Sequence, residues 1–198
     1  MTPAKSTSLT LLERVRAKDG PAWERLLNLY SPLVFHWCHR WGVHGDDADD
    51  VRQEVFQAVA VNLPTFRHDR PGDTFRGWLR GIARNKLLDH YRHREKQPEA
   101  PGGTDAYQQL QQVPDAETHE PDDSEQAEVG RLYHRALELV RGEFEERSWQ
   151  MFWRAAVDGH APVDIATDMG VTAAAVRKAK SRVLHRLREE VGDLLDAK

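Results

Sequence analysis

A segment rich in acidic residues, proline and glycine separates two parts of the chain that have helical periodicity. Residues 97–130 contain nine Asp and Glu and no Lys or Arg, and Pro98, Pro101 and the Gly102-Gly103 pair lie near the start of this segment. Such a composition buries too little apolar surface to offset the entropy lost on ordering. We therefore predict a disordered acidic linker over 97–123, between an N-terminal domain over 1–96 and a C-terminal domain over 124–198.

The acidic residues are distributed unevenly along the chain, and this affects whether it can bind nucleic acid. The formal net charge of −4 argues against binding to nucleic acid. Yet residues 1–96 carry sixteen Lys and Arg against twelve Asp and Glu, and residues 131–198 carry twelve against eleven. The acidity is concentrated between these two parts, so both are free to bind DNA.

Both flanking parts show helical spacing of apolar residues, and neither shows a useful length of strand-like alternation. Thr10 with Glu13 forms a predicted capping box, Gly20-Pro21 ends one helix and starts the next, and Pro32 predicts a break or kink. With 39% hydrophobic residues, the composition favours small helical cores rather than one large core. The predicted fold is all-α, with an N-terminal helical bundle and a C-terminal helix-turn-helix.

The cysteine content and hydropathy indicate the compartment. Cys38 is the single cysteine, which excludes an internal disulfide and a Cys-rich zinc finger. No apolar run approaches bilayer length, and the N-terminus lacks the apolar core of a signal peptide. We expect a cytoplasmic protein without membrane insertion.

The segment from Phe75 to Arg94 predicts a helix with one apolar and one basic face. Its apolar stripe includes Phe75, Leu79 and Leu87, and six Lys and Arg lie between the apolar positions, opposed by Asp89 alone. Cations hold phosphates and aromatic rings stack on unpaired bases, so this pattern suits a nucleic acid with unstacked bases. An ordinary amphipathic helix with a solvated basic face is the alternative.

The C-terminal region predicts a helix-turn-helix. A short helix over 162–169 is followed by Gly170 at a tight turn, and Thr172 is the predicted N-cap of a long helix ending near Glu190. Six basic side chains lie between Arg177 and Arg188 with no acidic residue among them. Lys180 falls near the apolar side, where its stem is expected to pack. A plain helical hairpin with a charged exterior is the alternative.

These motifs together resemble the extracytoplasmic-function sigma factors of bacterial RNA polymerase, over about residues 9–95 and 124–192. The segment 46–56, DDADDVRQEVF, is similar to the family's acidic clamp-binding motif. The helix from Phe75 resembles its promoter-melting and −10-reading helix, and the segment from Ile165 to Arg186 resembles its −35-reading helix-turn-helix. The resemblance implies a promoter-specificity subunit without catalysis or cofactor of its own.

The resemblance also implies three sets of contact residues. The expected contacts to core polymerase are Asp46, Asp47, Asp49, Asp50, Gln53 and Glu54. The expected contacts to −10 DNA, where the loop over 65–74 traps a flipped base, are Arg67, Arg76, Arg80, Arg84, Asn85 and Arg92. The expected contacts to −35 DNA are Thr172, Arg177, Lys178, Ser181, Arg182 and His185.

The implied partners are core RNA polymerase, through its clamp and flap regions, and promoter DNA. An anti-sigma factor is a further candidate partner. The linker of about 27 residues has a random-coil span of about 28 Å and a maximal reach of about 90 Å, which allows the domains to lie together or far apart.

Other functions explain less of the sequence. A stand-alone helix-turn-helix regulator leaves the acidic motif and the Phe75 helix without a role. A prenyl-synthase-like metal site needs a second acidic motif on a facing helix, and none is present. His36, Cys38, His39 and His44 are suggestive of a metal site, but their spacing is only helical, so we expect no metal. An enzyme such as a metal-dependent phosphohydrolase is a more distant alternative.

Overall fold

The computed structural model describes residues 10–67, 74–95 and 123–191, and within these ranges the chain forms helices and no strand. The all-α prediction is confirmed. The first group of helices consists of α1 (Leu11–Arg16), α2 (Gly20–Arg40), α3 (Gly45–Asn62) and α4 (Phe75–Glu95), with a 3₁₀ turn at Leu63–Thr65. The second consists of α5 (Asp123–Arg141), α6 (Glu146–Ala156), α7 (Pro162–Met169) and α8 (Ala173–Val191).

Local capping explains where the first helices begin. The Thr10 hydroxyl accepts from the Glu13 N–H at 3.3 Å, and the Glu13 carboxylate accepts from the Thr10 N–H at 2.7 Å. This confirms the predicted capping box. Asp19 caps α2 by accepting from the Ala22 N–H at 3.3 Å. A hydrogen bond from Arg14 lowers the pKa of Asp19 and so keeps this cap ionised.

Helix α2 continues through Pro32, so the alternative of a break at this residue is wrong. A proline inside a helix removes one backbone hydrogen bond and crowds the preceding turn. Here the cost is outweighed by burial, since Tyr30, Leu33 and Val34 on either side of Pro32 are fully buried. Tertiary packing therefore overrides the local signal.

The helix-turn-helix forms as the sequence predicts. Gly170 ends α7 in the left-handed conformation, with φ 61°, a conformation that glycine adopts without steric cost. The Thr172 hydroxyl accepts from the Ala175 N–H at 3.1 Å and caps α8. Ile165 of α7 and Val176 of α8 are fully buried in a small cluster with Met151 of α6. This cluster fixes the angle at which α8 leaves the turn.

The two groups of helices pack against each other, with α5 on α2 and α8 against α1. One hydrophobic cluster contains Leu11 of α1, Tyr30 of α2, Leu132 of α5 and Val183 of α8. The prediction of two groups of helices is confirmed, and in this arrangement their apolar faces meet. The predicted linker lies almost wholly outside the described residues.

Candidate functional site

The N-terminal part of α3 presents a carboxylate surface. Asp46, Asp49 and Asp50 are exposed, and so is Gln53. Their apolar neighbours Val51, Val55 and Val59 are buried, so the buried stripe holds α3 in place and turns the acidic side outward. Negative charge near a helix N-terminus is stabilised by the helix dipole, so this surface suits a cationic partner.

Some of these carboxylates already contact the basic helix α4. Asp47 lies 3.0 Å from Arg94, and Glu54 lies 3.4 Å from Lys86. Asp49 instead pairs along its own helix with Arg52 at 3.3 Å. Ion pairs as exposed as these contribute about 0–1 kcal/mol each. They can therefore exchange for pairs with an external partner at little cost.

His90 adds a pH-dependent contact to the same surface. Its Nε2 lies 3.9 Å from the Asp47 carboxylate. Burial lowers the pKa of His90, and the nearby Arg94 acts in the same direction, while Asp47 opposes both. Neutral His90 is favoured at physiological pH, so the Asp47 pair with Arg94 carries the charge interaction here.

The predicted −10 contacts differ widely in exposure. Arg67, Asn85 and Arg92 are exposed, and Arg92 pairs with Asp89 at 3.0 Å. Arg76 and Arg84 are half-buried. In this arrangement five of the six side chains reach the surface of the described structure, and the exception is Arg80.

An aromatic cluster supports the start of the loop between α3 and α4. The Phe66 and Trp78 rings have centroids 4.7 Å apart, and Phe75 lies 5.5 Å from Trp78. Trp78 thus packs against other aromatic side chains. This cluster holds Phe66 in place and positions Arg67 next to it at the surface.

Arg16 of α1 also holds this loop, and sequence reasoning missed it. Its Nε donates to the Leu63 carbonyl at 3.3 Å, and its guanidinium donates to the Phe66 carbonyl at 2.9 Å. The partners are 47 and 50 residues away along the chain, so no local pattern could have indicated them. Arg16 links α1 to the segment that carries Arg67.

Arg80 is 5% exposed although it lies in the middle of the basic face of α4. Its Nε lies 3.9 Å from the Glu125 carboxylate of α5, and its guanidinium lies over the Trp41 ring at 5.3 Å. Glu125 is itself 2% exposed. Glu125 is not among the residues predicted from the sequence. Its spacing from Glu128 and Leu132, which places all three on the buried side of α5, is the sequence feature that indicates its burial.

The predicted −35 face of α8 is open. All six predicted contacts are exposed, namely Thr172, Arg177, Lys178, Ser181, Arg182 and His185. Arg182 donates to the Ser148 hydroxyl at 3.2 Å, and Arg186 forms a two-point contact with Glu143 at 2.6 and 2.8 Å. The Lys180 ammonium reaches the Ala155 carbonyl at 3.3 Å, which agrees with the predicted packing of its stem. The basic face thus lies on a helix anchored to α6 and to the turn before it.

Cys38 and the histidines near it in the sequence differ in their surroundings. The His39 and His44 rings have centroids 5.0 Å apart, while Cys38 is fully buried. Burial raises the pKa of the Cys38 thiol to about 12, which disfavours the thiolate that a metal would need. No group of three or more potential metal ligands occurs in 10–67, 74–95 or 123–191.

Among the described residues, no helix is both long enough and apolar enough to span a membrane. The long helices α3, α4 and α8 each carry one of the charged faces described above.

Comparison with known proteins shows which family the chain belongs to. The family model of sigma-70 region 2 matches residues 26–97, which include α3 and α4. The ECF RNA polymerase sigma factor SigD of Mycobacterium tuberculosis is 30% identical over 179 residues, covering 88% of this chain and 79% of that protein. SigE of Mycolicibacterium smegmatis is 28% identical over 185 residues, covering 88% of this chain and 62% of SigE. CarQ of Myxococcus xanthus is 27% identical over 183 residues, covering 92% and 97%. The chain belongs to the extracytoplasmic-function sigma factors of the sigma-70 family, which direct promoter-specific initiation by RNA polymerase.

Proposed function

We propose that this sigma factor divides promoter-specific initiation among three helix faces. The acidic side of α3 docks on the clamp of core polymerase. Helix α4 and the loop before it capture the melted −10 strand, and α8 enters the −35 major groove. The observation that carries this division is the simultaneous exposure of carboxylates on α3 and cations on α8.

The chemistry of each face matches its proposed partner. The carboxylates Asp46 and Asp50 suit an arginine-rich protein surface, with Gln53 and Glu54 adding polar contacts. A rigid basic helix suits duplex DNA, because an α-helix fits the major groove and cations release counterions from phosphates. Aromatic and basic side chains together suit single-stranded DNA.

The proposed domain roles keep the predicted boundaries. Residues 1–96 bind core polymerase and the −10 element, 97–123 form the linker, and 124–198 read the −35 element and meet the flap. An anti-sigma factor is a further proposed partner, since both charged faces offer it a surface. Each of these roles is a binding role, so we propose that the chain has no catalytic activity of its own. We also propose that it acts in the cytoplasm, where RNA polymerase is found.

A stand-alone helix-turn-helix regulator is disfavoured. That function uses α6 to α8 and leaves the match to sigma-70 region 2 without a role.

Run-off transcription tests the polymerase part of the proposal. The triple variant Asp49→Ala, Asp50→Ala and Glu54→Ala should weaken capture of core polymerase and lower transcription from every promoter, because the docking charge is removed. Helical content measured by circular dichroism should stay unchanged. Glu24→Ala, at an exposed carboxylate of α2, is the control. Unchanged capture of core polymerase by the triple variant would rule out clamp docking through α3.

A further inference from the structure

We propose that α5 and the melted −10 strand compete for Arg80, so that the free chain masks part of its own −10 surface. The Glu125 carboxylate occupies the place that a DNA phosphate takes after the two groups of helices separate. The inference rests on the proposed function of α4, and it adds a competition between protein and DNA within one molecule.

The burial of Arg80 carries the first step. Arg80 is 5% exposed and Glu125 is 2% exposed, so neither side chain can meet an external partner while α5 stays in place. An arginine on a helix face built for phosphates is therefore unavailable in this arrangement. DNA can reach it only if α5 moves away.

The geometry of the pair carries the second step. The separation of 3.9 Å between Arg80 Nε and the Glu125 carboxylate is too long for a hydrogen bond. Arg80 Nε has no hydrogen-bond partner in the described part of the chain. A buried donor without an acceptor costs free energy. A phosphate that approaches closely would satisfy this donor better than Glu125 does.

The surroundings of Arg80 carry the third step. Arg40, Arg76 and Arg84 lie close enough to act on it electrostatically. Burial lowers the pKa of Arg80, and these three cations lower it further, while Glu125 opposes them. A cation in such a place needs an anion. In the closed arrangement α5 supplies that anion, and in the open arrangement DNA supplies it.

A second contact holds α5 in the closed position. Arg135 donates to the Leu29 carbonyl of α2 at 3.1 Å and to the Glu128 carboxylate at 3.0 Å. Glu128 is 6% exposed and also accepts from Arg131 at 2.7 Å. Buried charged contacts of this kind favour one defined docking geometry more than they add stability. These contacts therefore define how α5 docks on α2.

The closed arrangement leaves the other two faces open. The α3 carboxylates and the α8 cations remain exposed while Arg80 is covered. Core polymerase and duplex −35 DNA can therefore bind first, and the −10 strand gains Arg80 only when α5 leaves. Masking in the free chain limits premature binding to single-stranded nucleic acid.

The test measures binding of a fluorescent single-stranded −10 oligonucleotide to the full chain without polymerase. Its sequence is the −10 element that the wild type prefers in run-off transcription. Glu125→Gln should tighten binding by about tenfold, since an apparent affinity rises with the fraction of open molecules. Small-angle scattering should show a larger radius of gyration. Glu138→Gln, at an exposed position of the same helix, removes the same charge and should change neither quantity.

A second variant keeps the test decisive if Glu125→Gln fails to fold. Arg135→Gln removes the contact to Leu29 without touching Arg80, and it should shift both quantities in the same direction. The competition is ruled out if a variant has a larger radius of gyration but binds the oligonucleotide with wild-type affinity. It is also ruled out if Glu138→Gln tightens binding of the oligonucleotide as much as Glu125→Gln does. Run-off transcription by the wild type is scored separately. Promoter-specific initiation that depends on the −10 element upholds the proposed function even when the competition fails.

Discussion

At the residue scale, Cys38 shows how burial controls reactivity. The side chain is fully buried, and desolvation raises the pKa of the thiol from 9.0 to about 12. The thiolate is the reactive form. The buried thiol of Cys38 is therefore unreactive in the folded chain.

We predict that Cys38 resists thiol reagents at pH 8 in the native chain and reacts readily in urea. Because the folded pKa is raised, the native state holds its proton more tightly than the unfolded state. This contribution to stability is complete below about pH 9 and is lost as the pH rises toward about 12. Labelling rates and urea unfolding at pH 8 and pH 10 measure both effects. Native labelling at the unfolded rate would contradict the burial argument.

Asn85 is the residue from which we expect base discrimination. Its side chain is exposed on α4, next to half-buried Arg84. An amide can donate to and accept from one base edge. Asn85→Ala should cost about 1–3 kcal/mol of preference at one −10 position, and binding to core polymerase should persist.

Transcription from a set of −10 variants measures this preference. Gln150→Ala, at an exposed amide on α6, is the matched control and should leave the preference unchanged. An equal loss of activity on every −10 variant would mean that Asn85 is structural instead.

At the element scale, α8 combines an anchored side with an open side. Val176, Ala179 and Val183 are buried, while Arg177 and Lys178 are exposed. The period of the apolar residues sets this division, because helical residues three and four apart lie on one side. The helix therefore presents its cations as a fixed array.

The variant Arg177→Ala, Lys178→Ala and Arg182→Ala should abolish transcription that depends on the −35 element. Each cation removed from a phosphate contact also lowers the salt dependence of DNA binding, by a slope of about one per contact. Run-off assays at several salt concentrations measure both effects. The control is a promoter with a scrambled −35 element, on which wild type and variant should be equally weak. A variant as active as the wild type on the intact promoter would remove α8 from the proposed contacts.

At the scale of the whole molecule, the packing of α5 on α2 joins the two groups of helices in one cluster. Leu132 of α5 is 3% exposed within it. Leu132→Ala should lower the free energy of unfolding by about 2–5 kcal/mol, since it leaves a cavity in a packed core. Backbone amides of α2 and α5 should then exchange hydrogen faster together, because the two helices share this cluster.

Hydrogen exchange followed by mass spectrometry makes that comparison. Val163→Ala, at a position of α7 that is 63% exposed, removes apolar atoms without leaving a cavity and serves as the control. Faster exchange confined to α5 would show that α2 is stable without it.

The sequence by itself determined the helices, the Thr10 and Thr172 caps, the left-handed turn at Gly170 and the three charged motifs. These features depend on residues within about four positions of each other, where spacing and side-chain chemistry decide the outcome. Only the tertiary structure decided that Arg80 is covered by Glu125. It also decided that Arg135 reaches Leu29, which lies 106 positions away along the chain. No local pattern indicates such contacts, because they arise when apolar faces of distant segments pack and bring charged side chains together.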